Sequence, residues 1–153
     1  MDQVPARDLL EELADQLAEM TALLHSIPES RGNHRYAEGK WSVKEVIGHL
    51  MDSERVFGLR ALWFARGETT ELPGFDENAW APQGAFDSRA LSDLRGEFCA
   101  VRLGTTSLFS SLNDDMAARS GVANGKRVTV RALAWIIAGH TRHHLKVLKE
   151  RYL

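Results

Sequence analysis

A single cysteine, Cys99, is present among 153 residues, so the chain can form no internal disulfide and build no Cys-rich zinc cluster. That usage fits a reducing interior. Neither sign of charge dominates: 19 Lys and Arg face 21 Asp and Glu, a formal balance of -2, and without a broad basic field the chain is not built to grip phosphate backbones. Nucleic acid is therefore not an expected partner. Long apolar runs are missing too, since the longest uncharged one near the C-terminus, residues 132–139, falls far short of the ~20 residues that cross a bilayer. The start, Met1-Asp2-Gln3-Val4-Pro5-Ala6-Arg7-Asp8, is acidic and lacks the basic-then-apolar order of a signal peptide. A cytoplasmic protein without membrane contact is the expectation.

Sustained strand alternation, internal repeats and low-complexity tracts are also absent. What is present is helical rhythm. A chain of this size buries roughly 68–70% of its unfolded surface, enough for one core, and residues 1–153 are expected to form one domain. Leu10, Leu13, Leu17, Met20, Leu24 and Ile27 recur at spacings of 3 and 4 and predict a helix over residues 6–27, closed by Pro28. Ser42 and Glu45 have capping-box spacing and open a second helix, which carries Val46, Leu50, Phe57 and Phe64 and ends by Gly67. Asp87 or Ser88 can cap a third, along which Leu91, Leu94, Phe98, Val101, Thr105, Leu108 and Leu112 repeat the spacing. Asn124-Gly125 signals a small hairpin before Thr129 caps a fourth helix running to about Glu150.

Four such segments predict an all-α four-helix bundle. The connection over residues 67–87 is too long for a tight hairpin and permits a crossover between helices 2 and 3. Those two helices are then parallel (up-down-down-up), and helices 2 and 4 antiparallel.

Three of the six His crowd into Gly139-His140-Thr141-Arg142-His143-His144. On a helical wheel His140 and His144 share the arc of Leu133, Ile137 and Leu148, whereas His143 falls on the flank. Their i, i+4 spacing lets both rings reach one metal at ~2.0–2.1 Å. On the second helix His49 shares the arc of Val46, Leu50, Ser53 and Phe57, and can supply a third ligand. Depth agrees: His49 lies ~9 Å from the start of its helix, and His140 and His144 ~15 and ~9 Å before Glu150. Those levels coincide if the two helices are antiparallel. Buried, hydrogen-bonded core histidines are the alternative. A zinc protease is disfavoured, because Thr141 stands where HExxH needs Glu.

Three imidazoles without a thiolate leave room for water or substrate, as in catalytic sites. Asp52, Glu54 and Arg142 are the polar groups near in sequence, and Asp52 can either support a ligand ring or be an exposed helical carboxylate. Arg102 points near the core stripe of helix three, to hold an anionic ligand or pair with an acid. Cys99 reads as a small buried residue, Trp41, Trp63 and Trp135 as packing groups, and Trp80 as a pocket lid.

The run Trp41-Ser42-Val43-Lys44-Glu45-Val46-Ile47-Gly48-His49-Leu50-Met51-Asp52-Ser53-Glu54 resembles the opening signature of the DinB/YfiT-like family, and Gly139-His140-Thr141-Arg142-His143-His144-Leu145 its closing one. The loop Leu72-Pro73-Gly74-Phe75-Asp76 and the ending Glu150-Arg151-Tyr152-Leu153 are similar to members of its DinB-like superfamily branch. The resemblance implies a four-helix bundle with the crossover, often a homodimer, holding a divalent metal through His49, His140 and His144. Thr141 departs from the Glu frequent there.

Zinc, nickel, iron and manganese all accept imidazole, zinc or nickel being the expected metal. Family members include enzymes that use mycothiol, bacillithiol or glutathione. The resemblance thus implies a metal-activated low-molecular-weight thiol (S-transferase or isomerase type) or a water, acting on a small-molecule substrate. The reading from another class is a metal-stabilised, stress-linked binding or sensor protein without turnover.

Overall fold

The computed structural model describes residues 6–153, with side chains from Leu9 onward; residues 1–5, where most of the acidic start lies, are outside the described residues. Four long helices form the body: α1 (Ala6–Ser26), α2 (Val43–Ala65), α4 (Leu91–Ser110) and α6 (Val130–Val147). Two short helices, α3 (Glu77–Gln83) and α5 (Asp114–Ala118), and an antiparallel hairpin of β1 (Ser120–Ala123) and β2 (Lys126–Thr129) fill the connections.

Side-chain bonds reveal the helix directions. Between α1 and α6, Glu12 meets Arg142 and Glu19 meets Lys149, so those helices run parallel. Between α2 and α4, Glu54 pairs with Arg102 and Ser42 with Asp87, again in increasing order. Between α2 and α6 the order reverses: Trp41 meets Tyr152, His49 meets His144, and Phe57 meets His140. The crossover topology expected from the long second connection is the observed one. That connection is pinned by Leu72, which donates to Val122 O and accepts from Asn124 N at the hairpin, both at 3.0 Å.

Local signals hold where the caps are local. Ser42 Oγ accepts from Glu45 N at 3.0 Å while Glu45 accepts from Ser42 N at 2.8 Å, the reciprocal pair that starts α2. Thr129 accepts from Ala132 N and starts α6. Asn124 and Gly125 take positive φ, 51° and 70°, as a tight hairpin demands. The start of α4 is a correction. Neither Asp87 nor Ser88 caps it, because residues Phe86–Ser88 form a 3₁₀ turn, Asp87 is drawn to Ser42 and Arg35, and Ala90 is the N-cap. The Leu91 N–H donates instead to the Glu29 carboxylate, at 2.8 and 3.1 Å.

Two apolar clusters make the core. One gathers Met20, Leu24, Ile47, Phe98 and Leu145, the other Leu13, Phe64, Phe109, Leu133 and Ile137. On every long helix a polar residue separates them: Gln16, Glu54, Arg102 and Thr141, all buried. The inner face of α1 therefore carries Leu9, Leu13, Gln16 and Met20, one step away from the expected Leu10 and Leu17, which are half-buried. Past Val147 the last helix widens into a π turn, Leu148–Tyr152. No helix among the described residues is long and apolar enough to cross a membrane.

Candidate metal centre

His49, one and a half turns into α2, and His140 and His144, on successive turns of α6, bring one ring nitrogen each within 4.8 Å of one another. His49 Nε2 and His140 Nε2 are 2.9 Å apart. The three rings meet edge to face, with centroids 4.7 to 5.0 Å apart. His143 lies outside the cluster on the exposed side of α6, its ring against that of His144. Burial, reinforced by the neighbouring imidazoles, pushes His49 and His140 down to about 4 and His144 to about 3, so all three are neutral near pH 7.

The surroundings orient the rings. Ser53, one turn after His49, sets its Oγ 3.4 Å from His49 Nδ1, and the Trp41 ring lies 4.7 Å from the His49 ring. Trp41 is held in turn through its carbonyl, which accepts from the Tyr152 hydroxyl at 2.7 Å. Burial raises that hydroxyl's pKa to about 12, so it stays a donor. A chain of aromatic contacts runs from His140 through Phe57 and Phe75 to Trp80. A cleft of about 290 Å³ opens beside His144 between α6, the loop before α2 and the start of α3.

The donor set fits a cation. His144 Nδ1 is buried and has no hydrogen-bond partner among the described residues, an arrangement that costs free energy unless something else fills it. One ring nitrogen from each of the three histidines lies within 4.8 Å of the others, close enough for the three to be ligands of one ion.

Residues 8–148 match the DinB superfamily. The chain belongs to that superfamily. Among its relatives are a "putative metal-dependent hydrolase" of Oceanobacillus iheyensis, 23% identical over 96% of this chain and 89% of that protein, and YfiT of Bacillus subtilis, described in the same words, 24% identical over 93% and 79%. The solved structure of YfiT, described as an unusual four-helix bundle, superposes with a TM-score of 0.84 over 98% of this chain and 89% of its own at 20% identity. A mycothiol-dependent maleylpyruvate isomerase does so with 0.78 over 94% and 60%, at 15% identity.

Within this DinB bundle the remaining candidates fall into place. Thr141 is turned away from the rings and accepts from Arg102 Nη2 at 2.7 Å, so this position serves the helix packing. Arg102 pairs with Glu54 through two 2.9 Å bonds and is wholly buried; of its two expected roles, the acid pair is the observed one. Asp52 faces Arg55 and Glu97 on the α4 side, with its pKa raised by burial, and makes no hydrogen bond to a histidine ring among the described residues. Arg142 is exposed and bonds Glu12. Cys99 is half-buried beside Thr21, at 3.6 Å. Trp80 covers Phe75 and not the cleft itself, where Asn78 stands instead.

Ser53 and Tyr152 are the supporting residues that sequence reasoning passed over. Ser53 had a signal, since it follows His49 by four residues on the same arc. Tyr152 had none, because its reach to Trp41 depends on the π turn.

Proposed function

We propose that this protein is a metalloenzyme in which His49, His140 and His144 hold one divalent ion, zinc or nickel before iron or manganese, facing a cleft that admits a small molecule. The observation that carries this reading is the convergence of three histidine ring nitrogens within 4.8 Å of one another, with His144 at the wall of an open cleft and its buried Nδ1 without a partner among the described residues. His49 and His140 can share a proton between their Nε2 atoms, but His144 Nδ1 is left buried and unpartnered, and a shared cation accounts for all three rings. Bound there, the ion would supply Lewis acidity that lowers the pKa of a thiol or a water brought against it.

The protein's own contribution is orientation and exclusion of water. Ser53 Oγ is placed to accept from His49 Nδ1–H, which leaves Nε2 free to ligate. Trp41 and Phe57 wall two sides of the rings. Thr141 supplies no carboxylate base, so the exposed imidazole of His143 is the group placed to take a proton at the rim. A low-molecular-weight thiol, in S-transfer or isomerisation, is the first reading, and the open cleft supports turnover over a sealed structural site. Hydrolysis is the second, favoured by the description shared by the Oceanobacillus relative and YfiT.

The test is elemental analysis of untagged protein, comparing the wild type with His49→Ala and His144→Ala. About one metal per chain, lost in both variants, is expected, and screening with thiols and hydrolysable esters then separates the two reactions. No metal after remetallation would leave a helical binding protein as the better description.

A further inference from the structure

The cleft beside the histidines has an uneven charge. Lys40 lines it, and among the described residues no Asp or Glu does. Neighbouring cations are committed elsewhere: Arg35 to Glu45 and Asp87, Lys44 to Glu29, Lys149 to Glu19. Lys40 is different. Its side chain has no ion pair or hydrogen bond among the described residues.

The backbone of Lys40, by contrast, is fixed. Gly39 adopts φ 73°, a left-handed turn that favours glycine, Lys40 N donates to Ala37 O at 3.2 Å, and Lys40 O accepts from Arg35 Nη1 at 3.0 Å. The next residue is Trp41, whose ring lies on His49. The chain thus holds an unpaired cation one residue from the ring that walls the metal centre. Across the cleft, Asn78 brings a side-chain amide that likewise has no hydrogen-bond partner among the described residues. An ammonium and an amide lining one cleft are both donors that a carboxylate can accept from.

We propose that the molecule taken up at this centre is an organic acid, its carboxylate held by Lys40 and Asn78 while its reacting group faces the metal centre from the side of His144, the one of the three histidines that lines the cleft. This rests on the reading of the histidines as a metal centre. It adds a substrate class to it: anionic small molecules, against neutral ones of the same shape.

Binding of two probes to zinc-loaded protein tests it, 3-mercaptopropionate and the uncharged 3-mercaptopropanol, by calorimetry after metal content has been measured. The acid should bind about fivefold tighter than the alcohol, the size of one partly exposed charge contact. Lys40→Gln should remove that preference without changing metal content or the affinity for the alcohol, and Lys40→Glu should invert it. One metal per chain with equal affinity for both thiols, or a preference that survives Lys40→Gln, overturns the carboxylate site and leaves the metal centre standing. A wild type that takes up no zinc overturns both.

Discussion

Arg102 and the three histidines are polar groups held inside the same apolar bundle, and Thr141 and His140 are neighbours along α6, yet the two clusters are completed differently. Arg102 uses all five of its N–H groups: two go to Glu54, one to Thr141, one to Gln16 and one to Leu13 O. Gln16 then donates to Ala138 O at 2.9 Å, so the layer ties α1, α2, α4 and α6 together and closes on itself. The histidine cluster does not close. His49 Nε2 and His140 Nε2 meet at 2.9 Å, but His144 Nδ1 has no partner among the described residues. The closed cluster accounts for itself within the chain, whereas the histidine cluster leaves a buried nitrogen for which the proposed metal would supply the partner.

Breaking the closed layer should have the largest effect. Arg102→Ala or Glu54→Ala strands a buried charge, and each should cost about 3–5 kcal/mol in urea unfolding. The double replacement Arg102→Met with Glu54→Leu should recover most of that loss. If the single variants cost no more than a surface ion pair, the layer is not what holds the helices in place.

In the histidine cluster the same kind of change should do the opposite. His144→Leu removes an unpartnered nitrogen, so the metal-free protein should unfold at the same or higher denaturant concentration than the wild type. It should also lose the stabilisation that metal confers, about 2.7 kcal/mol at a free-metal concentration 100 times Kd. His143→Ala should retain metal. A metal-free His144→Leu protein markedly weaker than the wild type would put the histidines with the closed layer instead.

Acid sharpens the contrast further. The three rings titrate at about 3 to 4 when folded against an ordinary value of about 6.5. Between those limits the unfolded chain binds protons that the folded chain refuses. These groups therefore add nothing to pH dependence above about 6.5, and cost increasing stability as pH falls from there toward 4. Melting of metal-free protein at pH 7, 5.5 and 4.5 should show the decline, and His144→Leu should flatten it. Because the folded rings stay neutral well below 6.5, bound metal should also persist below the pH at which ordinary imidazoles release it.

The smallest effect is expected at Ser53. Ser53→Ala should leave the fold intact and weaken metal about tenfold, since only the orienting contact to His49 Nδ1 is lost. Unchanged affinity would mean that ring packing by Trp41 orients His49 unaided.

Much of this was legible in the sequence because the signals were local. The Ser42–Glu45 cap, the Thr129 cap and the Asn124-Gly125 turn lie within a few residues of what they control. The convergence of His49 with His140 and His144 followed from helical phase plus one topological choice. What stayed hidden depends on contacts distant in sequence. Gln16 broke the apolar spacing of α1 because its partners, Arg102 and Ala138, lie on other helices. Arg102 alone did not say whether it faced a ligand or Glu54. Asp52 has a suitable spacing from His49, but its rotation on α2 takes it to Arg55 and Glu97.

The first turn of α4 extends that point to the order of assembly. Its leading amide is satisfied by Glu29, a residue 62 positions earlier that follows α1. A helix end normally frays on its own, exchanging its amide protons with solvent long before the molecule opens. Here the Leu91 N–H is held by a side chain from the segment after α1, so the protection of that helix end depends on a contact between two distant stretches of chain.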